Sequence, residues 1–387
     1  MTGDLLLRDA RVWPAPDAPV GGPGTVLVRG GVVRHAGGDA PHDVPADVPC
    51  VDVGGRVVVA GYTNAHVHLT GPVWAGARTA PAAVLQDALD DMLLSRGFTT
   101  VLDLGSDPRT TLAVVARIGS GELRGPEVLT ATATIVPRRG LPFYVRDTLP
   151  WYTRLLLRGP RTPAQARRAV AVRSRRGSSL TKLFTGSYVE PGVVRAMDED
   201  VARAAVQESH RRGLRVLAHP SDREGTRVAV AAGVDVLAHV PDTPDGTHPL
   251  LREAAARGIR LTPTLHMFAH TVSTDEAYLG PLRDSLRVFR DAGGRVLFGT
   301  DVGYLTDHDI RPELTAMAAS GMTTRDVLAS LTTEPAAFLD RPDAGTVRPG
   351  ARADLVVLDR TEDDLSPTDL ADVHLVVRAG HVVHGPA

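Results

Sequence analysis

The chain has 387 residues, 43% of them hydrophobic, and a net charge of -2. That length exceeds one ordinary domain and supports a large core, while the near-neutral charge excludes a global attraction to nucleic acid or to an anionic membrane. The single cysteine, Cys50, excludes an intrachain disulfide.

No apolar run is long enough to span a bilayer, and the opening Met-Thr-Gly-Asp lacks the charged-then-apolar pattern of a signal peptide. The expectation is a cytoplasmic protein with a small-molecule substrate and no nucleic-acid or membrane partner. A homo-oligomer is left open, because its contacts need leave no readable mark.

Residues 1–58 alternate short β-prone runs with Gly/Pro turns. The runs are Asp4–Trp13, Thr25–Arg29, Val32–His35 and Val51–Val53. From Val57 the texture changes to eight short apolar runs: Val57–Thr63, Thr99–Leu104, Val128–Thr134, Leu180–Thr185, Arg215–His219, Val234–Val240, Arg260–Leu265 and Val296–Asp301. Helical patterns separate them, at Ala82–Arg96, Pro108–Ile118, Pro163–Arg176, Glu199–Arg212, Arg223–Ala232, Pro249–Arg257 and Leu282–Ala292. Eight strands alternating with helices predict an α/β fold of the (β/α)8 TIM-barrel type. Two more helical stretches follow, Arg311–Ser320 and Thr324–Leu331. The tail returns to β texture at Asp354–Leu358, Val373–Arg378 and His381–Val383. Both chain ends are therefore expected to pair into a small β-sandwich domain, residues 1–58 with 341–387, beside a metal-binding barrel over residues 59–340.

Lys182 is the only lysine in the chain. Arginine stays protonated in proteins, whereas a buried lysine can lose its proton and become a nucleophile. A neutral amine can add carbon dioxide to give a carbamate, which can bridge two metal ions. The alternative is a lone lysine left by compositional drift and paired with an acid.

Side chains alternate along a strand, so Asn64, His66 and His68 face the same way. Two imidazoles a residue apart can grip one metal, although an H-x-H alone is a weak signal. Asn64, the only asparagine, sits one step deeper, as a hydrogen-bond partner for a ligand or as a satisfied buried amide. His219 closes the fifth run, His239 the sixth and Asp301 the eighth. Each alone reads as readily as a satisfied core residue. Together, five strand ends bring His66, His68, Lys182, His219, His239 and Asp301 to one rim. Neutral imidazoles and carboxylates are ligands of zinc and similar ions. Six groups exceed one four-coordinate ion and suit a pair of divalent ions, zinc foremost, bridged by a carbamate on Lys182 formed from CO2.

Loops after barrel strands carry function. Ile135–Arg161 holds Phe143, Tyr144, Trp151 and Tyr152, and His266–Pro281 holds His266, Phe268, His270 and Tyr278. Substrate lids and plain rim packing are both open readings. By position, Tyr152, Tyr188, His266 and Tyr304 are the candidate substrate contacts.

The chain resembles the amidohydrolase superfamily, and within it the imidazolonepropionase-like and prolidase-like members that use a carboxylated lysine. The resemblance rests on Val59-Ala60-Gly61-Tyr62-Thr63-Asn64-Ala65-His66-Val67-His68, where Ala60 replaces the family's proline. It rests also on Gly97–Gly105, on Ser209–Val216 before His219, and on Ala353–Leu358 preceded by Gly345 and Gly350. It implies that His66, His68 and Asp301 hold one metal, that His219 and His239 hold the other, and that carbamylated Lys182 bridges them. It implies further that Asp301 acts as general base and then general acid while a hydroxide shared by the metals attacks a C–N bond in an amide, dipeptide, lactam or cyclic amide. An esterase or lactonase at the same site, and a non-catalytic scaffold of the same fold, are the competing readings.

Overall fold

The structure, a computed structural model, describes residues 3–42, 44–146 and 158–386. Both chain ends contribute to one mixed sheet. Its strands are β1 (Leu5–Val12), β2 (Pro23–Arg29), β3 (Val32–Ala36), β4 (Cys50–Asp52), β5 (Val57–Ala60), β15 (Leu355–Leu358), β16 (Val373–Arg378) and β17 (His381–His384), in the order β17-β16-β15-β5-β1-β2-β3 with β4 on β1. The ends meet at β5, which runs parallel to β1 and antiparallel to β15. Alternating apolar positions from both ends, among them Leu5, Leu7, Val26, Val28, Val58, Leu355, Val357 and Val377, build a core of their own. The expected β-sandwich is therefore met as one sheet rather than as two separately bonded layers.

The run Val57–Thr63 does not form one barrel strand. Its first half is β5, in the terminal sheet, and Gly61 breaks it before β6 (Tyr62–Val67). A Cβ on Gly61 would meet Thr99 Oγ1 at 2.3 Å, so only glycine lets the chain cross between the two layers here.

The remaining β structure is mostly parallel. A three-stranded sheet joins β6, β7 (Phe98–Asp103) and β8 (Glu127–Thr130). A four-stranded sheet runs β9 (Leu180–Phe184), β12 (Arg215–His219), β13 (Val236–Ala238), β14 (Arg260–Thr262). Between β9 and β12 lies a hairpin that the sequence pattern did not suggest, β10 (Gly186–Glu190) with β11 (Val193–Ala196). Among the described residues, single bridges link Ile135 to Leu183 of β9, Leu261 of β14 to Val296, and Val67 of β6 to Val302. A continuous eight-stranded barrel sheet is thus not what the hydrogen bonds describe.

The reason lies in the eighth segment, Val296–Asp301, which is irregular. Phe298 N–H donates to Ser330 O at 3.0 Å instead of to a neighbouring strand. Gly299 packs so closely that a Cβ would stand 2.3 Å from Thr262 Cγ2 and 2.9 Å from His66 Cβ. The segment still touches both neighbours, through Leu297 N–H to Leu261 O (2.9 Å), Ala65 N–H to Phe298 O (2.7 Å) and Asp301 N–H to His66 O (2.8 Å). Residues from the parallel strands and this segment, including Ala65, Leu102, Leu180, Leu217, Val236 and Leu297, share one inner core.

Helices pack outside these strands. Most match the sequence pattern closely, Arg223–Ala232 and Thr324–Leu331 to the residue. The expected loop His266–Pro281 is instead mostly helical, covered by Leu265–Thr271 and the start of Glu276–Asp291. Among the described residues no helix is long and apolar enough to cross a membrane.

Glu127, at the head of β8, ties the parallel layer to the chain's return towards the terminal sheet. It accepts a two-pronged contact from Arg341 (2.9 and 2.5 Å) and one from Arg352 (3.2 Å). Burial would raise its carboxyl, but the two guanidinium groups outweigh that and hold it below the usual range. A lowered carboxylate contributes stability above its unfolded value and loses it as pH falls. Glu127→Gln should therefore cost ~1 kcal/mol at pH 7, a partly exposed pair being discounted for screening, and the difference should fade as pH drops below about 4. Urea unfolding of both proteins across that range checks this; a difference independent of pH would contradict it.

Candidate metal centre

The parallel strands end at one edge, and the polar side chains gather there. His66 and His68 come from the end of β6, Lys182 from β9, His219 from the end of β12, His239 from just after β13, and Asp301 from the eighth segment. The four imidazoles form a continuous row. Ring centres lie 5.3 Å apart from His68 to His66, 4.5 Å from His66 to His239 and 4.6 Å from His239 to His219. Asp301 faces the row: Oδ1 is 3.0 Å from His68 Nε2 and 3.4 Å from His66 Nε2, and Oδ2 is 3.9 Å from His239 Nε2. Lys182 Nζ stands 3.4 Å from His66 Nε2. The six residues that the strand ends suggested are thus brought together.

The strand ends are strained where they present these groups. His239 has φ +109° and Asp301 φ +62°, unusual for residues with side chains. Thr132, Ser221 and Thr264, also just past strand ends, have φ of +54°, +57° and +50°. Such backbone clusters at functional sites, where surrounding packing holds it in place.

Neighbours fix how the rings point. His68 Nδ1 faces Gly105 O at 2.8 Å, so that nitrogen carries the proton and Nε2 is left for the centre. Gly105 sits in a turn anchored by Asp103, a fully buried acid that accepts from Ser106 Oγ (2.5 Å), Thr111 Oγ1 (3.2 Å) and Thr130 Oγ1 (2.6 Å). His239 Nδ1 lies 2.6 Å from Thr264 Oγ1. The only hydrogen on that hydroxyl goes to Pro263 O at 2.8 Å. Thr264 must then accept from His239 Nδ1–H, and His239 Nε2 again faces inward. Asn64 is a satisfied buried amide with a positioning effect. Its Nδ2 donates to Thr300 Oγ1 (2.8 Å), and its Oδ1 accepts from His66 N–H (3.1 Å) and Thr300 N–H (3.3 Å). One side chain therefore stitches the two segments that carry His66 and Asp301.

The electrostatics favour neutral bases. Burial, then the charges of Lys182 and neighbouring imidazoles, holds His66 far below the usual histidine range; burial and like charges do the same for His219 and His239. Burial also lowers His68, but its contact with Asp301 and the charges of Asp301 and Asp103 outweigh that and raise it. Burial brings the Lys182 amine down to about 7, against the pull of Asp301. Three neutral imidazoles, a fourth aimed at a carboxylate, and an amine that readily gives up its proton form a donor set that fits borderline divalent ions such as zinc. His66, His239 and Asp301 alone place one ligand atom each within 4.8 Å of the others. His66 Nδ1 is also buried without a hydrogen-bond partner, so the ring is held from the centre side.

The proposed substrate contacts divide. Tyr188 lies on β10; burial first, then the Asp242 charge, raises its hydroxyl. Tyr304 is 44% exposed, and its ring is 5.6 Å from that of Tyr144. Burial and the Asp301 charge raise it as well. His266 pairs with Asp307 at 3.0 Å. Tyr152 lies outside the described residues. The sequence pattern missed Asp242, which burial pushes up to about 6. Burial, and after it the Asp242 charge among others, also raises Tyr144 and Tyr278. The signal was its place three residues past His239, in the turn that leaves the same strand end.

A model of the amidohydrolase family matches residues 57–384. The chain is 25% identical over 384 residues to an imidazolonepropionase of Deinococcus radiodurans, covering 92% of each. It is 29% identical over 191 residues to an uncharacterized protein of Mycobacterium tuberculosis; that match covers 45% of this chain and 50% of the other, so it spans about half of that relative's length. Among solved structures, a Xaa-Pro dipeptidase superposes with a TM-score of 0.81 at 20% identity, covering 99% of this chain and 100% of that one. A prolidase complexed with N-methylphosphonate-L-proline superposes with a TM-score of 0.80 at 24% identity over the same shares. These likenesses show the fold.

If Asn64 holds the His66 and Thr300 backbones as described, Asn64→Ala leaves buried N–H groups unpaired and should cost about 2–3 kcal/mol in urea unfolding. A cost under about 0.5 kcal/mol would show that the stitch contributes nothing.

Proposed function

Because the chain belongs to the amidohydrolase family, we propose that it is a metal-dependent hydrolase that cleaves a C–N bond. The observation that carries this is the row of four imidazoles facing Asp301, His66 and His239 buried and His68 and His219 half-buried, with the only lysine beside it. In the same reading the seven strands of the two parallel sheets and the irregular eighth segment form a (β/α)8-type barrel over residues 59–340, and residues 1–58 with 341–387 form the β-sandwich domain.

His66, His68 and Asp301 would hold one divalent ion, and His219 and His239 a second. Ions bound there supply Lewis-acid polarisation of a carbonyl and an acidified water. Lys182 joins the two halves of the row. With its amine near 7, a large share is unprotonated at neutral pH. That lone pair forms a bond to the carbon of CO2, one C–O π pair moves onto oxygen, and the ammonium proton leaves to solvent. A carbamate there would be anionic and would offer the ions a carboxylate ligand where the free amine offers none. Asp301 turns one carboxylate oxygen to His68 and His66 and the other to His239. It takes the proton of the attacking water and delivers it to the leaving nitrogen. The turns carrying Thr264 and Gly105 keep the imidazoles aimed throughout.

Tyr188 and Tyr304, together with Tyr144, would border the substrate near Asp301. The names of the solved relatives, Xaa-Pro dipeptidase and prolidase, make dipeptides the first substrates to try, followed by N-acyl amino acids and cyclic amides. Zinc-loaded protein should hydrolyse some members of this panel. Chelator should abolish that activity, and added zinc should restore it. Aryl ester or lactone hydrolysis with every amide untouched would contradict the C–N assignment.

Lys182→Arg should lose activity by more than about 100-fold, because guanidinium cannot form the carbamate. Lys182→Ala should be as inactive but partly rescued by short carboxylates. Wild-type turnover from the arginine variant would remove the carbamate from the account.

A further inference from the structure

Six residues past Asp301, a second set of ligand-type side chains meets that shares no member with the rim. His266 and His270 lie four residues apart on the helix Leu265–Thr271, so they share one face. Their rings are 5.8 Å apart and edge-on. Asp307 comes from the turn after Asp301 and places Oδ2 3.0 Å from His266 Nε2. One ligand atom from each of the three lies within 4.8 Å of the others. We propose that His266, His270 and Asp307 bind a single divalent cation of the zinc type.

The supporting contacts prepare each ligand. Asp307 Oδ1 is occupied by Asp309 N–H at 2.9 Å, which leaves Oδ2 to face the histidines. His266 N–H donates to the buried carboxylate of Glu313 at 2.6 Å, which fixes the first turn of the helix. A plain ion pair explains His266 with Asp307. It does not explain His270, whose ring has no hydrogen-bond partner among the described residues yet faces the same point. Two imidazoles and one carboxylate select zinc, nickel or copper over magnesium or calcium, which prefer all-oxygen shells. His266 has a side-chain exposure of 12% and Asp307 of 35%, and His270 is exposed. The site is therefore open to solvent, and water would complete the coordination.

Its position gives it a role. The helix that carries His266 and His270 begins directly after Thr264, the residue that holds His239. Asp307 follows Asp301 on the same turn. A cation here would tie together two segments that each position a rim ligand, bracing the primary centre from outside.

The test compares wild-type protein with His270→Ala and Asp307→Asn after loading with zinc chloride and removal of free ion. Elemental analysis should find about one zinc per chain fewer in each variant, and zinc should raise the melting temperature of the wild type more than that of either variant. Diffraction at the zinc edge from wild-type crystals should show a peak between His266, His270 and Asp307. That peak appears even if the rim stays metal-free, so failure of the hydrolase assignment and failure of this one are distinguishable. Equal zinc content in all three proteins overturns the proposal. A peak seen only in crystals soaked at high zinc, with equal content in solution, means binding at crystal concentration only and overturns it too.

Discussion

Lys182 Nζ stands 3.4 Å from Nε2 of His66, an inner member of the row of imidazoles. Burial and neighbouring charges hold three of its members, His66, His219 and His239, far below the usual range, while Asp301 raises the fourth, His68. The cluster is comfortable only when its bases stay neutral and their lone pairs meet a cation. Asp301 supplies the negative charge that such a cation needs, and its backbone is held at φ +62° to supply it. The chemistry assigned to the site follows from this electrostatic constraint more than from any single contact.

The surroundings serve the same constraint. Asp103 holds the Gly105 turn, the Gly105 carbonyl sets the His68 tautomer, and Thr264 sets that of His239. Asn64 keeps the first strand and the eighth segment in register. Gly299 lets that segment pass against His66 and Thr262 where any side chain would collide. Gly299 is therefore part of how Asp301 is delivered, since any other residue would bring a Cβ into that gap.

Much of the site was legible in the sequence because it obeys a local rule: an apolar run closed by a polar residue. His66, His68, His219, His239 and Asp301 all follow it, and Lys182 stood out by being alone. Residues that act through long-range contacts were not legible. Thr264 and Asp242 carry no local pattern, and their partners lie on other strands. Strand boundaries failed where a glycine allowed a crossing, as at Gly61, because an apolar run does not reveal which sheet will claim each half. The loop after β14 was misread because its helix is short and carries polar residues His266 and His270 on the face away from the core.

The most direct test of the central claim is zinc-edge anomalous diffraction from protein crystallised with zinc and bicarbonate. The account predicts one ion among His66, His68 and Asp301, a second on His219 and His239, and a carboxylate group built onto Lys182 Nζ between them. A rim free of metal after full zinc loading, with an unmodified lysine, would contradict it.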